Sequence, residues 1–188
     1  MLSAAERAAL AAVRADSEDA CAHLALAAVY VNLGRFDDSL AEFELALRLN
    51  PNFSQAQNYY STALSFCGRW QEGIEAARRA IRLSPRDPFL ALYYGSACLA
   101  QYIGRNYEGA IQMARTAIRL RSDFAGAHRV LTAATGMSGD SEAAAAALQE
   151  LRRAQPNISL AWVESHVPIQ HADDLEHYLE GFRRAGLD

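Results

Sequence analysis

The sequence predicts an all-α protein, a right-handed solenoid of stacked antiparallel helix pairs, because three kinds of residue recur at one interval. The interval of 34 residues separates Pro51 from Pro85, Gly34 from Gly68, and Phe36 from Trp70. A fixed period of this length indicates a tandem array in which each unit is one helical hairpin. Hydrophobic residues make up 51% of the chain, which is enough for neighbouring hairpins to bury a continuous seam.

The period divides the 188 residues into four full units and two end pieces. The predicted boundaries are 1–18 for the second helix of a truncated unit, 19–52, 53–86, 87–123 and 124–157 for the four units, and 158–188 for C-terminal capping helices. The third unit has three extra residues, most of which we place near Gln101–Gly104 as a first helix extended by almost a turn. The fourth unit is degenerate, since no aromatic residue follows its glycine turn.

The first full unit shows why each hairpin is expected to form. Leu26 and Tyr30 lie on one face of its first helix, and Gly34 ends that helix. The second helix opens near Phe36 with two aspartates in its first turn, where the helix dipole favours negative charge. The helix ends before Pro51, because the residue that precedes a proline is disfavoured in the helical conformation.

The later units and the ends follow the same plan. The second unit turns at Gly68, the third opens its second helix at Tyr107, and the fourth has Leu151 where the others have alanine. The stretch from Ser3 to Ala15 aligns with the second helix of a unit. The chain is expected to finish with a short helix over 159–165 and a longer helix over 172–185, whose apolar face would cover the last unit.

Composition argues against several classes of protein. The net charge is −4, and all 18 basic residues are arginines, whereas a nucleic-acid-binding surface needs a strong basic excess. No apolar run reaches the roughly 20 residues that a membrane-spanning helix needs, and nothing at the start resembles a signal peptide. Cys21, Cys67 and Cys98 have no motif spacing and are expected to be buried thiols of a cytoplasmic protein.

No motif for chemistry is present in the sequence. The phosphate-binding and dinucleotide-binding glycine patterns are missing, and the five histidines do not have the spacing of a metal site. No serine or cysteine lies in a nucleophile motif. We therefore expect a chain that is not an enzyme and that needs no cofactor or metal.

The residues that recur in phase resemble the tetratricopeptide repeat. The matching positions of the first unit are Leu26, Ala27, Tyr30, Gly34, Phe36, Phe43, Ala46 and Pro51, and those of the second are Tyr60, Ser61, Leu64, Gly68, Trp70, Ala80 and Pro85. The resemblance covers about residues 19–156, and Ser122, Ser141 and Leu151 depart from the pattern. It implies a superhelix whose first helices line a concave face.

A narrower resemblance concerns two short stretches. Residues 80–88 and 174–187 look like the C-terminal repeat region of bacterial class III adenylate cyclase-type proteins, in which repeats follow a catalytic domain. This resemblance implies a cytoplasmic regulatory or self-association tail of a larger signalling protein, and the half unit at the N-terminus would fit a piece of such a protein.

The resemblance to the repeat also implies where a partner would bind. The candidate residues on the concave face are Asn32, Gln55, Asn58, Tyr59, Thr62, Phe66, Phe89, Leu92, Tyr93, Ser96, Arg129 and Met137. Tyr59 and Tyr93 are 34 residues apart and could stand side by side on the groove wall, or they could merely pack between helices. Aromatic residues with asparagine and glutamine suit a peptide ligand. The positions that would clamp a peptide carboxylate are mostly apolar or aromatic.

These observations lead to one functional hypothesis and several rivals. The expected function is non-catalytic binding of a protein or peptide partner, another part of the same polypeptide, or a second copy of the chain. The main rival is the regulatory or self-association tail.

Four arginines recur in register and could form a basic stripe: Arg48, Arg82, Arg119 and Arg153. Each lies in the last turn of a helix, however, where a cation compensates the helix dipole.

Overall fold

The computed structural model of the protein describes residues 3–188, and this part of the chain is entirely helical apart from turns and loops. Its eleven helices are α1 (Ala4–Ala15), α2 (Ala20–Asn32), α3 (Phe36–Leu49), α4 (Ser54–Phe66), α5 (Trp70–Leu83), α6 (Leu90–Ile103), α7 (Tyr107–Leu120), α8 (Ala125–Ser138), α9 (Ser141–Ala154), α10 (Leu160–His166) and α11 (Ala172–Arg184). Four hairpins, α2–α3 to α8–α9, stack so that α4 packs on α6 and α6 on α8. The predicted fold class, a solenoid of antiparallel helix pairs, is confirmed.

Small residues let the two helices of a hairpin cross closely. In the first unit the Ser39 hydroxyl donates to the Ala27 carbonyl at 2.9 Å. In the second unit the Ser61 hydroxyl donates to the Gly73 carbonyl at 2.7 Å. Each bond joins the two helices of one hairpin and satisfies a hydroxyl that is buried in the seam, as buried polar groups require.

The third unit accommodates its three extra residues differently from the prediction. Helix α6 has 14 residues and α4 has 13, so the helix gains one residue instead of almost a turn. The other two extra residues lie in the loop between α5 and α6, which spans 84–89 where the preceding loop spans 50–53. The prediction for Gln101–Gly104 is therefore wrong.

The turn of the third unit also shifts by one residue relative to the glycine. Gly34 and Gly68 have φ near +70°, but in the third unit the positive φ belongs to Arg105, at 63°. A left-handed conformation is unfavourable for a residue with a side chain. Two hydrogen bonds hold Arg105 in place, one from its guanidinium to the Ile103 carbonyl and one to Asp174, each at 2.8 Å.

In the first unit a buried histidine links the loop before α2 to α3. His23 is 3% exposed, and its Nε2 lies 3.0 Å from the Ser17 carbonyl oxygen. Its Nδ1 lies 2.5 Å from a carboxylate oxygen of Glu42 on α3. Burial of the imidazole lowers the pKa of His23, but the hydrogen bonds with Glu42 and Ser17 outweigh it, and the pKa is raised above 6.5.

The stability of the first unit should consequently depend on pH. A group whose pKa is higher in the folded state stabilises that state fully below its unfolded pKa. This contribution disappears as pH rises through the folded pKa, so the free energy of unfolding should fall over the pH range that begins near the ordinary histidine pKa of about 6.5 and extends through the raised pKa. Urea denaturation across this range measures the effect, and His23→Gln should flatten it. An unchanged slope in His23→Gln would contradict this role for the pair.

The C-terminal segment does more than cover the last unit. Residues 167–187, which we call the strap, run along the C-terminal ends of α4, α6 and α8. The Gln170 amide donates to the Phe66 carbonyl at 2.8 Å, and the Tyr102 hydroxyl donates to the His177 carbonyl at 2.9 Å. Leu187 packs in the same apolar cluster as Leu148 of α9. The strap thus covers the fourth unit, as expected, and also ties it to the second and third.

The strap packs so closely against α8 that the two backbones are in contact. A Cβ atom built on Gly136 would lie 2.0 Å from the Gly181 carbonyl oxygen, and one on Gly181 would lie 2.6 Å from the Ala133 carbonyl oxygen. Glycine is required at both positions, because any side chain would overlap the facing backbone. Tyr178 and Phe182 of the strap are at most 2% exposed and complete the core of this region.

Candidate functional site

A cavity of about 300 Å³ lies on the concave face, between the first helices of units two to four and the strap. Seven of the twelve predicted contact residues line it: Asn58, Tyr59, Thr62, Phe66, Leu92, Ser96 and Arg129. The other lining residues, which lie outside that set of twelve, are Gly95, Leu99, Phe124, Gly126, Val130, Val167 and Tyr178. The structure therefore places most of the predicted residues around one mainly apolar depression.

The floor of the cavity is a buried polar network between α4 and α6. The Ser96 hydroxyl donates to the Asn58 side-chain oxygen at 2.6 Å, and the hydroxyl oxygens of Ser96 and Thr62 are 2.8 Å apart. Asn58 and Ser96 are nearly fully buried. Since these groups bond with each other, they hold the two helices in register, and a ligand would meet the more exposed side chains above them.

Tyr93 corrects one part of the predicted site. It is 1% exposed, whereas Tyr59 is 39% exposed, so the two tyrosines do not form a pair on the groove wall. The Tyr93 hydroxyl donates to Asp87 at 2.8 Å, and burial, above all, raises the pKa of Tyr93. The reason is the longer third unit: α7 begins 37 residues after α5, which puts Ser96 at the position of Tyr59.

Four other predicted residues lie outside the cavity lining. Phe89 is 53% exposed in the loop before α6. Gln55 is half-buried near the start of α4, and Met137 packs against the core cluster of the third and fourth units. Asn32 is exposed at the end of α2, where its side chain donates to the Ala28 carbonyl.

Among the described residues, Arg129 is the only Asp, Glu, Arg or Lys side chain in the cavity lining. Its guanidinium donates to the side-chain oxygen of Gln155 at 2.7 Å and lies 5.1 Å from the centre of the Trp162 ring. Stacking on an aromatic ring and a bond to a neutral amide fix the guanidinium without cancelling its charge. The cavity thus combines apolar walls with one positive charge at its edge.

The strap forms one wall of the cavity, which the sequence analysis missed. Val167 and Tyr178 line the side opposite the first helices of the units. The glycines Gly136 and Gly181 are the sequence signal that could have indicated a close helix crossing. Their contact became visible only with the fold, because the two residues lie 45 positions apart.

Comparison with known proteins assigns the repeats. Two family models, both described as tetratricopeptide repeat, match residues 20–53 and 67–125.

The chain contains tetratricopeptide repeats.

Among solved structures, the fold resembles PilW, described as a widely conserved type IV pilus biogenesis factor, at 18% identity over 90% of this chain and 79% of that one, with a TM-score of 0.73. It resembles MamA, residue 41 to the end, from Desulfovibrio magneticus RS-1 at 18% identity over 80% and 84%, with a TM-score of 0.66. It also resembles YrrB, a tetratricopeptide repeat protein with an unusual peptide-binding site, at 16% identity over 96% and 92%, with a TM-score of 0.62.

These likenesses establish the solenoid of tetratricopeptide repeats and nothing finer. A search of curated protein sequences found no significant match. The family matches concern the repeat itself, so the narrower resemblance to adenylate cyclase-type proteins gains no support from them. Proteins built from tetratricopeptide repeats are in general non-catalytic scaffolds, and the repeat fold of this chain indicates a protein–protein interaction module.

The described part of the chain has neither a cluster of metal-ligating side chains nor a candidate membrane span. Within residues 3–188 no group of three or more His, Cys, Asp or Glu side chains is placed to hold a metal ion. No helix there has both the length and the apolar character needed to cross a bilayer.

The three cysteines differ in burial. Cys98 is buried and Cys67 is half-buried, and desolvation raises the pKa of the Cys67 thiol to about 11. Cys21 is exposed, which corrects the expectation that all three thiols are buried.

Proposed function

We propose that this chain is a non-catalytic interaction module whose concave cavity binds a peptide or protein segment with an apolar or aromatic side chain. The observation that carries the proposal is the cavity itself, which gathers half-exposed Tyr59, Phe66, Leu92 and Phe124 around a rigid floor. Exposed aromatic anchors in a preformed depression are the usual centres of binding energy. The floor is held by the bonds between Asn58 and Ser96, so little ordering is needed on binding.

The test compares Tyr59→Ala with Leu33→Ala in partner capture. Leu33 is 44% exposed at the end of α2, so its removal controls for the loss of an exposed apolar side chain away from the cavity. Truncating an anchor costs about 2 kcal/mol or more, or roughly thirtyfold in affinity. A partner retained by the parent chain and by Leu33→Ala should be lost from Tyr59→Ala. Equal retention by all three proteins would exclude the cavity as the binding site.

A second candidate is self-association, either alone or as the regulatory tail of a larger cyclase-type signalling protein. Helix α1 favours it, because its outer face exposes a row of alanines: Ala4, Ala5, Ala8, Ala11 and Ala12. Small residues allow helices from two chains to pack closely. Light scattering on the isolated chain decides this point, since a monomeric mass over a wide range of concentrations would contradict self-association.

A further inference from the structure

Two histidines occupy equivalent positions in the first and fourth repeats. His23 and His128 are 3% and 5% exposed. Nε2 of His23 lies 3.0 Å from the Ser17 carbonyl oxygen, and Nε2 of His128 lies 2.8 Å from the Ser122 carbonyl oxygen. Because a carbonyl only accepts, Nε2 carries the proton in both rings. The two histidines thus have the same orientation relative to the loop that precedes their helix.

The other ring nitrogen distinguishes the two sites. Nδ1 of His23 meets the carboxylate of Glu42 at 2.5 Å. Helix α9 begins 105 residues after α3, so the position of Glu42 is taken by Ala147 in the fourth repeat. Across residues 3–188, His128 Nδ1 is the one buried side-chain nitrogen or oxygen atom without a hydrogen-bond partner. Native proteins seldom leave such an atom unpaired, because burying it is costly.

His128 is one of the residues that line a groove between α7 and α9. A cavity of about 350 Å³ is lined by Arg115, Ile118, Arg119, Ser122, His128, Leu131 and Glu150. A second cavity of about 220 Å³ shares Arg115, Leu131 and Glu150 and continues along Ala143, Ala146 and Ala147. We call the two together the α7–α9 groove. It is open because the run of alanines on α9 leaves the space that larger side chains would fill.

The groove is positively charged although the chain has a net charge of −4. Arg115 and Arg119 form no ion pair with any carboxylate of the described residues. Glu150, the one acidic side chain in the lining among residues 3–188, is already paired with Arg153 at 2.6 Å. The lining of the largely apolar α7–α9 groove therefore includes two guanidinium groups without an ion-pair partner and a histidine with an unpaired ring nitrogen.

We propose that the α7–α9 groove binds an acidic peptide segment. A side-chain carboxylate of this segment lies beside His128 as the Glu42 carboxylate lies beside His23. The carboxylate would accept a hydrogen bond from His128 Nδ1 and lie between Arg115 and Arg119, with apolar residues of the segment against Leu131 and the alanines. This site is separate from the concave cavity, since second helices of the hairpins form its walls.

Binding of the carboxylate takes up one proton. With Nε2 already protonated, Nδ1 donates only after a proton from solvent converts the ring to imidazolium. The charged groups that face the ring are Arg115 and Arg119 from α7 and Glu150 from α9. Because binding takes up a proton, the affinity should decline as pH rises.

The experiment follows the imidazole resonances of the full chain by NMR during titration with a blocked pentapeptide, Ala-Ala-Glu-Leu-Ala. His128 should shift, whereas His23, whose Nδ1 already has Glu42, should not, which gives a control within the same molecule. The same peptide with glutamine in place of glutamate should bind about tenfold more weakly, because it forms no charge-assisted hydrogen bond. Equal binding of both peptides, or no shift of His128, would overturn the proposal.

Two variants and a small acid complete the test. Ala147→Glu supplies an internal carboxylate at the position of Glu42 and should abolish the peptide response. Replacing Arg115 and Arg119 by glutamine changes only exposed or rim side chains, so this variant should fold and bind at least about tenfold more weakly. Undiminished binding by either variant would overturn the site. Glutarate binding as tightly as the peptide would show a site for free acids and would contradict a peptide ligand.

Discussion

Replacing Gly136 by leucine is expected to detach the strap from the solenoid. The new side chain would begin 2.0 Å from the Gly181 carbonyl oxygen, and a helix backbone cannot yield by the distance required. Undocking exposes Tyr178 and Phe182, which are almost fully buried. Each large apolar side chain contributes roughly 1.5–3 kcal/mol when buried, so the free energy of unfolding should fall by about 3 kcal/mol or more.

The release of the strap is measured by thermal unfolding together with limited proteolysis, which should cut first within residues 167–188. The matched control is Ala145→Leu, which introduces the same side chain on the exposed face of α9 in the same repeat and should change stability by no more than about 0.5 kcal/mol. A Gly136→Leu protein that resists proteolysis as well as the parent would show that the strap does not depend on this contact.

Phe43→Ala should destabilise the seam between the first and second repeats by about 3–5 kcal/mol. Phe43 is 0% exposed and lies in one apolar cluster with Leu40 and Leu64. Its ring centre is 6.0 Å from that of Tyr60 on the next repeat. Because a solenoid is stabilised mainly by contacts between neighbours, the loss at this boundary should also let the first repeat unfold before the others.

Urea denaturation followed by circular dichroism would measure both effects, as a lower midpoint and a broader transition. Phe89→Ala is the control, since Phe89 is 53% exposed and its truncation should change the free energy of unfolding by at most about 0.5 kcal/mol. A single sharp transition for Phe43→Ala, at the midpoint of the parent chain, would contradict the importance of this seam.

The sequence was sufficient for the repeats because their signal is local and repeated. Gly34 and Gly68 end first helices at positive φ, and Phe36 and Trp70 begin second helices, as the period predicts. Each boundary is encoded by a few adjacent residues whose conformational preferences are strong. The resemblance to the tetratricopeptide repeat pointed to twelve candidate contact residues, of which seven line the concave cavity.

The features that the sequence did not predict depend on contacts between residues far apart in the chain. The register of Tyr93 could not be read correctly, because the loop before α6 absorbs two of the three extra residues while the turn glycine of the third unit is displaced by one position. The path of the strap depends on contacts such as that of Gln170 with Phe66, more than a hundred residues apart. Periodicity carries no information about such contacts.

The strap occupies part of the concave face, beside the first helices of the second, third and fourth repeats. The tethered strap competes with any external ligand at an effective concentration in the millimolar range. A helix from another protein could therefore bind the surface beside Ala133 and Gly136 only by displacing the strap. The cavity lined by Tyr59, Phe124 and Tyr178 stays open beside the strap. Selectivity for short extended segments over long helices would then follow from steric occupation, without any change in the repeats themselves.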